Sequence, residues 1–225
     1  MRRQEERITE GSRAVALVSA LLRAVERDAE ELDIESIWIS PDPLERPWER
    51  EFCVSGAEWL EESSEELEDV GVEITVRQCG RGGRKIKDLY ESLPLLPVKL
   101  DGALLKSLAR ETSQSGVEFM VIYSAGGAAF VLEGEKYEVI VPQLSVPGIV
   151  HTHPEGHCGL SRRDVESALY ALADLSFFEA SATPSCYFYL SRLGFLNVDD
   201  FANLLNKEAL EPLRLPSARL ERVFY

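Results

Sequence analysis

All three histidines of this 225-residue chain fall within one short segment, His151-Thr152-His153-Pro154-Glu155-Gly156-His157, directly after an apolar run. That run, Val146-Pro147-Gly148-Ile149-Val150, reads as a short buried strand. Side chains alternate along a strand, so His151 and His153 project from the same face. Pro154 has no N–H to give a sheet ladder and ends the strand. Gly156 and Gly159 let the following loop turn back. Ser161-Arg162-Arg163-Asp164 then starts a helix: the serine hydroxyl caps the first turn, and the aspartate sits where the helix dipole favours an acid. The segment is thus held to strand, tight loop and capped helix.

Two imidazoles from the strand and one carboxylate from the helix start can supply three ligands to Zn²⁺. A fourth position is then left for water, the pattern of a catalytic rather than a structural site. Each half also has an ordinary reading. Strand-end histidines are commonly satisfied by hydrogen bonds, and Ser-x-x-Asp is a common helix start. Capping and ligation are compatible, because the cap holds the Asp164 carboxylate toward the histidines. His157 and Cys158 leave a second arrangement open, in which a His/His/Cys set closes a structural zinc site. Ligands so crowded in one loop are hard to place tetrahedrally beside His151 and His153.

Upstream, Leu100 to Gln114 reads as an amphipathic helix and Gly116 to Tyr123 as a buried strand that begins at the acid Glu118. Glu111, Glu133, Glu135 and Glu138 are the other acids nearby. Together, His-Thr-His-Pro, six residues, Ser-x-x-Asp and an upstream strand-start glutamate resemble the signature of the JAMM (MPN-plus, Mov34-type) zinc metalloproteases. The resemblance covers roughly residues 95 to 195.

The resemblance implies the following chemistry. His151, His153 and Asp164 hold Zn²⁺, whose charge brings the pKa of a water toward about 7. Glu118 takes the proton of that water and hands it to the leaving amine. Ser161 donates to the developing oxyanion; no histidine is left over to make it a nucleophile. The implied reaction is hydrolysis of an amide or isopeptide bond after the C-terminal glycine of a ubiquitin-like modifier or sulfur-carrier protein. The implied fold is a JAMM-like (cytidine deaminase-like) three-layer α/β sandwich with a mixed sheet. The different-class alternative is a non-catalytic MPN-type scaffold that binds protein partners; such members lack the metal residues present here.

Composition narrows the partners. With 24 Lys and Arg against 39 Asp and Glu, the net charge of −15 disfavours nucleic acid, and with it a DNA-repair relative. The basic stretch Arg77 to Lys87 reads as a solvated loop or a contact for an acidic partner. No stretch approaches the ~20 apolar residues of a membrane span, and the charged start lacks a signal peptide's apolar core, so a cytoplasmic protein is expected. Cysteines 53, 79, 158 and 186 show no Cys-x-x-Cys spacing. A Cys158–Cys186 bridge would pin the histidine loop and a Cys53–Cys79 bridge would tie the N-terminal part; free buried thiols are the alternative. Cytosolic bridges suit a hyperthermophile, toward which the Glu-rich, 28% charged composition leans.

Two units are expected. Residues 1–92 read as a small α/β unit of helix 10–32, strand 34–40, acidic helix 57–69 and strand 71–78. Residues 93–225 form the metalloprotease-like domain. After Asp164 the helix runs to about Asp174, followed by strands near 177–180 and 187–190 and a helix at 198–206.

Overall fold

A computed structural model describes residues 4–27, 29, 31–80, 82–134, 146–207 and 211–224. The chain forms β1 (Gln4–Arg7), α1 (Glu10–Glu26), β2 (Trp38–Ser40), β3 (Glu51–Ser55), β4 (Ser63–Leu67), β5 (Val72–Gln78) and β6 (Arg84–Lys85). Next come α2 (Ile86–Ser92), α3 (Leu96–Leu100), α4 (Gly102–Ser115), β7 (Phe119–Tyr123), β8 (Ala129–Glu133) and β9 (Gly148–Thr152). The chain closes with α5 (Arg162–Asp174), β10 (Phe178–Ala182), β11 (Cys186–Arg192), α6 (Val198–Leu205), β12 (Leu213–Arg214) and β13 (Ala218–Phe224). Among the described residues, no helix is long and apolar enough to cross a membrane.

The larger sheet has the order β1-β8-β7-β9-β10-β11-β13-β12. Its pairs are antiparallel except β9 with β10, whose register sets His151 opposite Ser181. A parallel pair needs a crossover connection, and α5 supplies it. Alternation along β11 divides the layers. Tyr187 and Tyr189 face the core built on α1 and α4, whereas Phe188 and Leu190 face α5 and α6. The result is a mixed sheet between two helical layers, an α/β sandwich. With apolar partners on both faces, β7 is an unbroken apolar run, Phe119-Met120-Val121-Ile122-Tyr123, with no alternation.

The second sheet has the order β4-β5-β3-β2-β6. It does not stand apart at residue 92. β1 pairs with β8 in the larger sheet. One core unites Val15, Leu21, Ile39, Phe52 and Ile74 with Leu105, Val121, Val150 and Tyr187. α1 is buried on most of its circumference because it serves both sheets. Asp101 fixes its start, accepting from the Thr9 hydroxyl at 2.7 Å, the Gly11 N–H at 3.3 Å and the Tyr123 hydroxyl at 3.2 Å. Glu26 fixes its end by pairing with Arg192, whose Nη2 lies 2.8 Å from Oε2. The expected division at residue 92 is therefore not a break in the core.

The acidic helix expected at 57–69 is replaced by edge strand β4 and a 3₁₀ turn at Glu68–Val70. A helix would stack Glu58 on Glu62, Glu61 on Glu65 and Glu62 on Glu66, like charges at the repulsive i,i+4 spacing. As an edge strand the same segment exposes Glu66 and pairs Glu65 with Arg27, and charge on an edge strand also discourages pairing with another chain. The basic stretch is not a free loop. Arg84 and Lys85 form β6 against β2, Arg84 Nε donates to Asp42 at 2.6 Å, and both Lys85 and Lys87 pair with Glu35. Arg81, within that stretch, lies outside the described residues.

Candidate metal centre

The β9–α5–β10 crossover builds the site. It sets the C-terminal end of β9 beside the N-terminus of α5. His151 is the fourth residue of β9. His153 follows the strand but keeps its register, its N–H donating to the Ala182 carbonyl of β10 at 2.9 Å. Thr152, between them, points to the opposite face and meets the Thr112 hydroxyl of α4 at 2.6 Å. The loop is anchored from several sides. The Glu155 N–H donates to Ser113 Oγ at 3.0 Å, and Ser185 Oγ donates to Glu155 at 2.6 Å. The Ser181 hydroxyl donates to the Gly159 carbonyl at 2.8 Å.

Ser161 is the N-cap of α5 in a complete capping box. Its Oγ accepts from the Asp164 N–H at 3.2 Å, and the Asp164 Oδ2 accepts from the Ser161 N–H at 2.6 Å. That reciprocal pair aims the Asp164 carboxylate at both imidazoles. Its Oδ2 lies 3.7 Å from His151 Nε2 and 3.8 Å from His153 Nε2. One ligand atom from each of His151, His153 and Asp164 lies within 4.8 Å of the others, so the three could hold a metal ion.

The imidazoles are prepared for that. His153 Nδ1 lies 3.2 Å from the His157 carbonyl oxygen, which can accept a hydrogen bond from Nδ1–H and so leave the lone pair on Nε2. His151 is 5% exposed, and its Nε2 is buried with no hydrogen-bond partner among the described residues. Leaving such an atom unmet is costly, and a cation at the point shared with His153 and Asp164 would satisfy it. Burial also pulls the His151 pKa from 6.5 down to about 4, against the opposing pull of Asp164, so the ring is neutral at pH 7 and has no proton to lose before ligating.

Glu118 precedes β7 and is half-buried. It lines the same cleft of about 500 Å³ as His153, His157 and Ser161. Burial raises its pKa, with Asp164 adding to the rise and His153 opposing it. Of the other nearby acids, Glu111 lies on α4 and Glu133 ends β8; Glu135 and Glu138 are outside the described residues. His157 is an exposed rim residue, not part of the ligand group. Cys158 is bonded to Cys186 with Cα atoms 5.9 Å apart, which removes the His/His/Cys arrangement; Cys53 and Cys79 are also bridged, with Cα atoms 5.6 Å apart.

One acid beside the site escaped the sequence reading. Glu179 on β10 is 8% exposed, and its Oε1 lies 3.8 Å from His151 Nδ1. The available signal was a single charge inside the otherwise apolar or small run Phe177-Phe178-Glu179-Ala180-Ser181-Ala182. Burial, reinforced by Asp164, pushes its pKa up to about 8. Comparison with family models, with curated proteins and with solved structures finds no match for this chain.

These two buried groups make the stability of the metal-free protein pH-dependent. Below pH 6.5 the unfolded chain protonates His151, which the native state leaves neutral down to about pH 4. Above pH 4.5 the unfolded chain ionises Glu179, which the native state keeps protonated up to about pH 8. The two opposing contributions cancel between those unfolded-state values. Above pH 6.5 only Glu179 of these two contributes, and its contribution lowers stability by about 2 kcal/mol on reaching pH 8. Denaturant unfolding of chelator-stripped protein at both pH values checks this; equal or higher stability at pH 8 contradicts it.

Proposed function

We propose that this chain is a zinc-dependent hydrolase of amide or isopeptide bonds. Its proposed substrates end in the C-terminal glycine of a ubiquitin-like modifier or a sulfur-carrier protein. The observation that carries the reading is the convergence of His151, His153 and Asp164 on one point, with an orphaned His151 Nε2 among them and a cleft alongside that also holds Glu118 and Ser161. A donor set of two neutral imidazoles and one carboxylate suits zinc with one position left over. When bound, zinc supplies Lewis acidity and a water of lowered pKa.

The residues divide the remaining work. His153 and His151 present Nε2 lone pairs, and the capping box keeps Asp164 from swinging away. Burial raises the proton affinity of Glu118, the direction that suits a general base, and the side chain opens on the cleft where a carbonyl substrate would enter. The Ser161 oxygen accepts the capping bond while its own proton is free to be donated, so capping and oxyanion stabilisation use different ends of one hydroxyl. The substrate class rests on the family resemblance of these residues.

Incubation with fusions that carry a ubiquitin-like or sulfur-carrier domain ending in Gly-Gly, made with and without added zinc, tests this function. Release of the domain at the Gly-Gly terminus, abolished by a chelator and restored by zinc, is the expected result. Binding of these fusions without cleavage would instead support the protein-binding scaffold.

A further inference from the structure

We propose that Glu179 is a positioning residue for the metal centre: its carboxylate accepts a hydrogen bond from His151 Nδ1–H and so commits His151 to ligation through Nε2. This rests on the reading of His151, His153 and Asp164 as metal ligands.

The argument starts from how the two imidazoles are held. Each ring turns its Nε2 toward Asp164 Oδ2, at 3.7 Å and 3.8 Å. Each ring also turns its Nδ1 toward an oxygen acceptor. For His153 that acceptor is the His157 carbonyl, at 3.2 Å. For His151 it is Glu179, at 3.8 Å, an approach that a small side-chain shift closes to hydrogen-bond distance. Only one nitrogen of a neutral imidazole carries a proton, so an acceptor at Nδ1 leaves the lone pair on Nε2, where the ligand group converges. His153 receives this restraint from its own loop. His151 lies inside the sheet, where neighbouring backbone groups are used in the β7–β9–β10 ladders. A side chain from the adjacent strand is therefore the available source, and the parallel register places Glu179 two residues before Ser181, the partner of His151, on the same face.

The burial of Glu179 needs an explanation of its own. A carboxyl group in an apolar strand is unfavourable unless paired. The one basic side chain within ion-pair distance among the described residues is His151. A divalent cation held at His151 Nε2, on the far side of the ring, would polarise Nδ1–H toward Glu179 and so give the buried carboxylate a partner. A hydrogen bond of that kind commonly orients metal-ligating histidines, and its removal typically weakens metal binding by about 10- to 100-fold.

Zinc competition titrations against a chromophoric chelator, on the full chain, test the proposal. Glu179→Leu fills the site with an apolar side chain and leaves no carboxyl to bury, so the metal-free variant should unfold at the same denaturant concentration as the unaltered chain or a higher one. Its zinc affinity should nevertheless fall by about 10- to 100-fold. Glu179→Gln, whose side-chain oxygen can still accept from Nδ1–H, should recover part of that loss. In the zinc-loaded unaltered chain, nitrogen NMR of His151 should report a protonated Nδ1 and a ligated Nε2. Equal zinc affinity in the unaltered chain and Glu179→Leu overturns the positioning role, as does ligation of His151 through Nδ1. Failure of the unaltered chain to bind zinc at all overturns the metal site itself, and the two failures are distinct.

Discussion

Replacement of His153 by alanine is expected to empty the metal centre while leaving the fold in place. The unaltered chain should carry about one zinc per molecule by elemental analysis, and His153→Ala should carry almost none after gel filtration. Structural zinc sites with four protein ligands bind with an apparent 10–16 kcal/mol, so losing one ligand corresponds to a loss of roughly 10²- to 10³-fold or more in affinity. His153 is the ligand best suited to the test. It lies just beyond the end of β9 and its side chain is 13% exposed, whereas truncating His151 would open a hole within the sheet. Asp164→Asn is the companion variant. An amide oxygen can keep the capping bond from the Ser161 N–H while the charge that attracts a cation is gone. Full zinc retention in both variants would remove the ligand assignment.

Glu118→Gln should separate binding from chemistry. The amide keeps the size of the side chain and loses its ability to take a proton. The variant should hold zinc as the unaltered chain does, yet cleave Gly-Gly fusions about 10²- to 10⁴-fold more slowly, the usual contribution of a positioned general base. Single-turnover rates at saturating enzyme read this effect free of product release. An undiminished rate would move the proton-transfer role to another group. A parallel loss of zinc would instead make Glu118 a ligand, in place of the base assigned here.

Much of the site was legible because its pieces are local. Alternation put His151 and His153 on one face, and Pro154 marked the strand's end. The Ser161–Asp164 spacing announced the cap that now aims the carboxylate. The elements that were misread or missed are those decided by distant partners. Residues 57–69 contain strong helix formers, but β5 offered an unpaired edge and like charges disfavoured a helix, so an edge strand formed. β3, β8 and β13 each pair with a strand distant in the sequence, β5, β1 and β11 respectively. The division expected at residue 92 is likewise not a break in the core. α1 packs against elements on both sides of that position, β4 and α2 before it and α3 and β7 after it, because a helix apolar on nearly every side requires cover on more than one side.

The amino-acid order by itself determined which side chains could ligate, which turn would cap α5, and which face of β9 the histidines would share. These follow from backbone geometry over a few residues and hold in almost any surrounding fold. Only the folded chain decided that β9 and β10 run parallel, that α5 crosses between them, and that Glu179 therefore comes to lie against the back of His151. Such proximity depends on strand pairing between segments remote in the chain, and strand pairing is selected by burial of the whole sheet, a property no single segment carries.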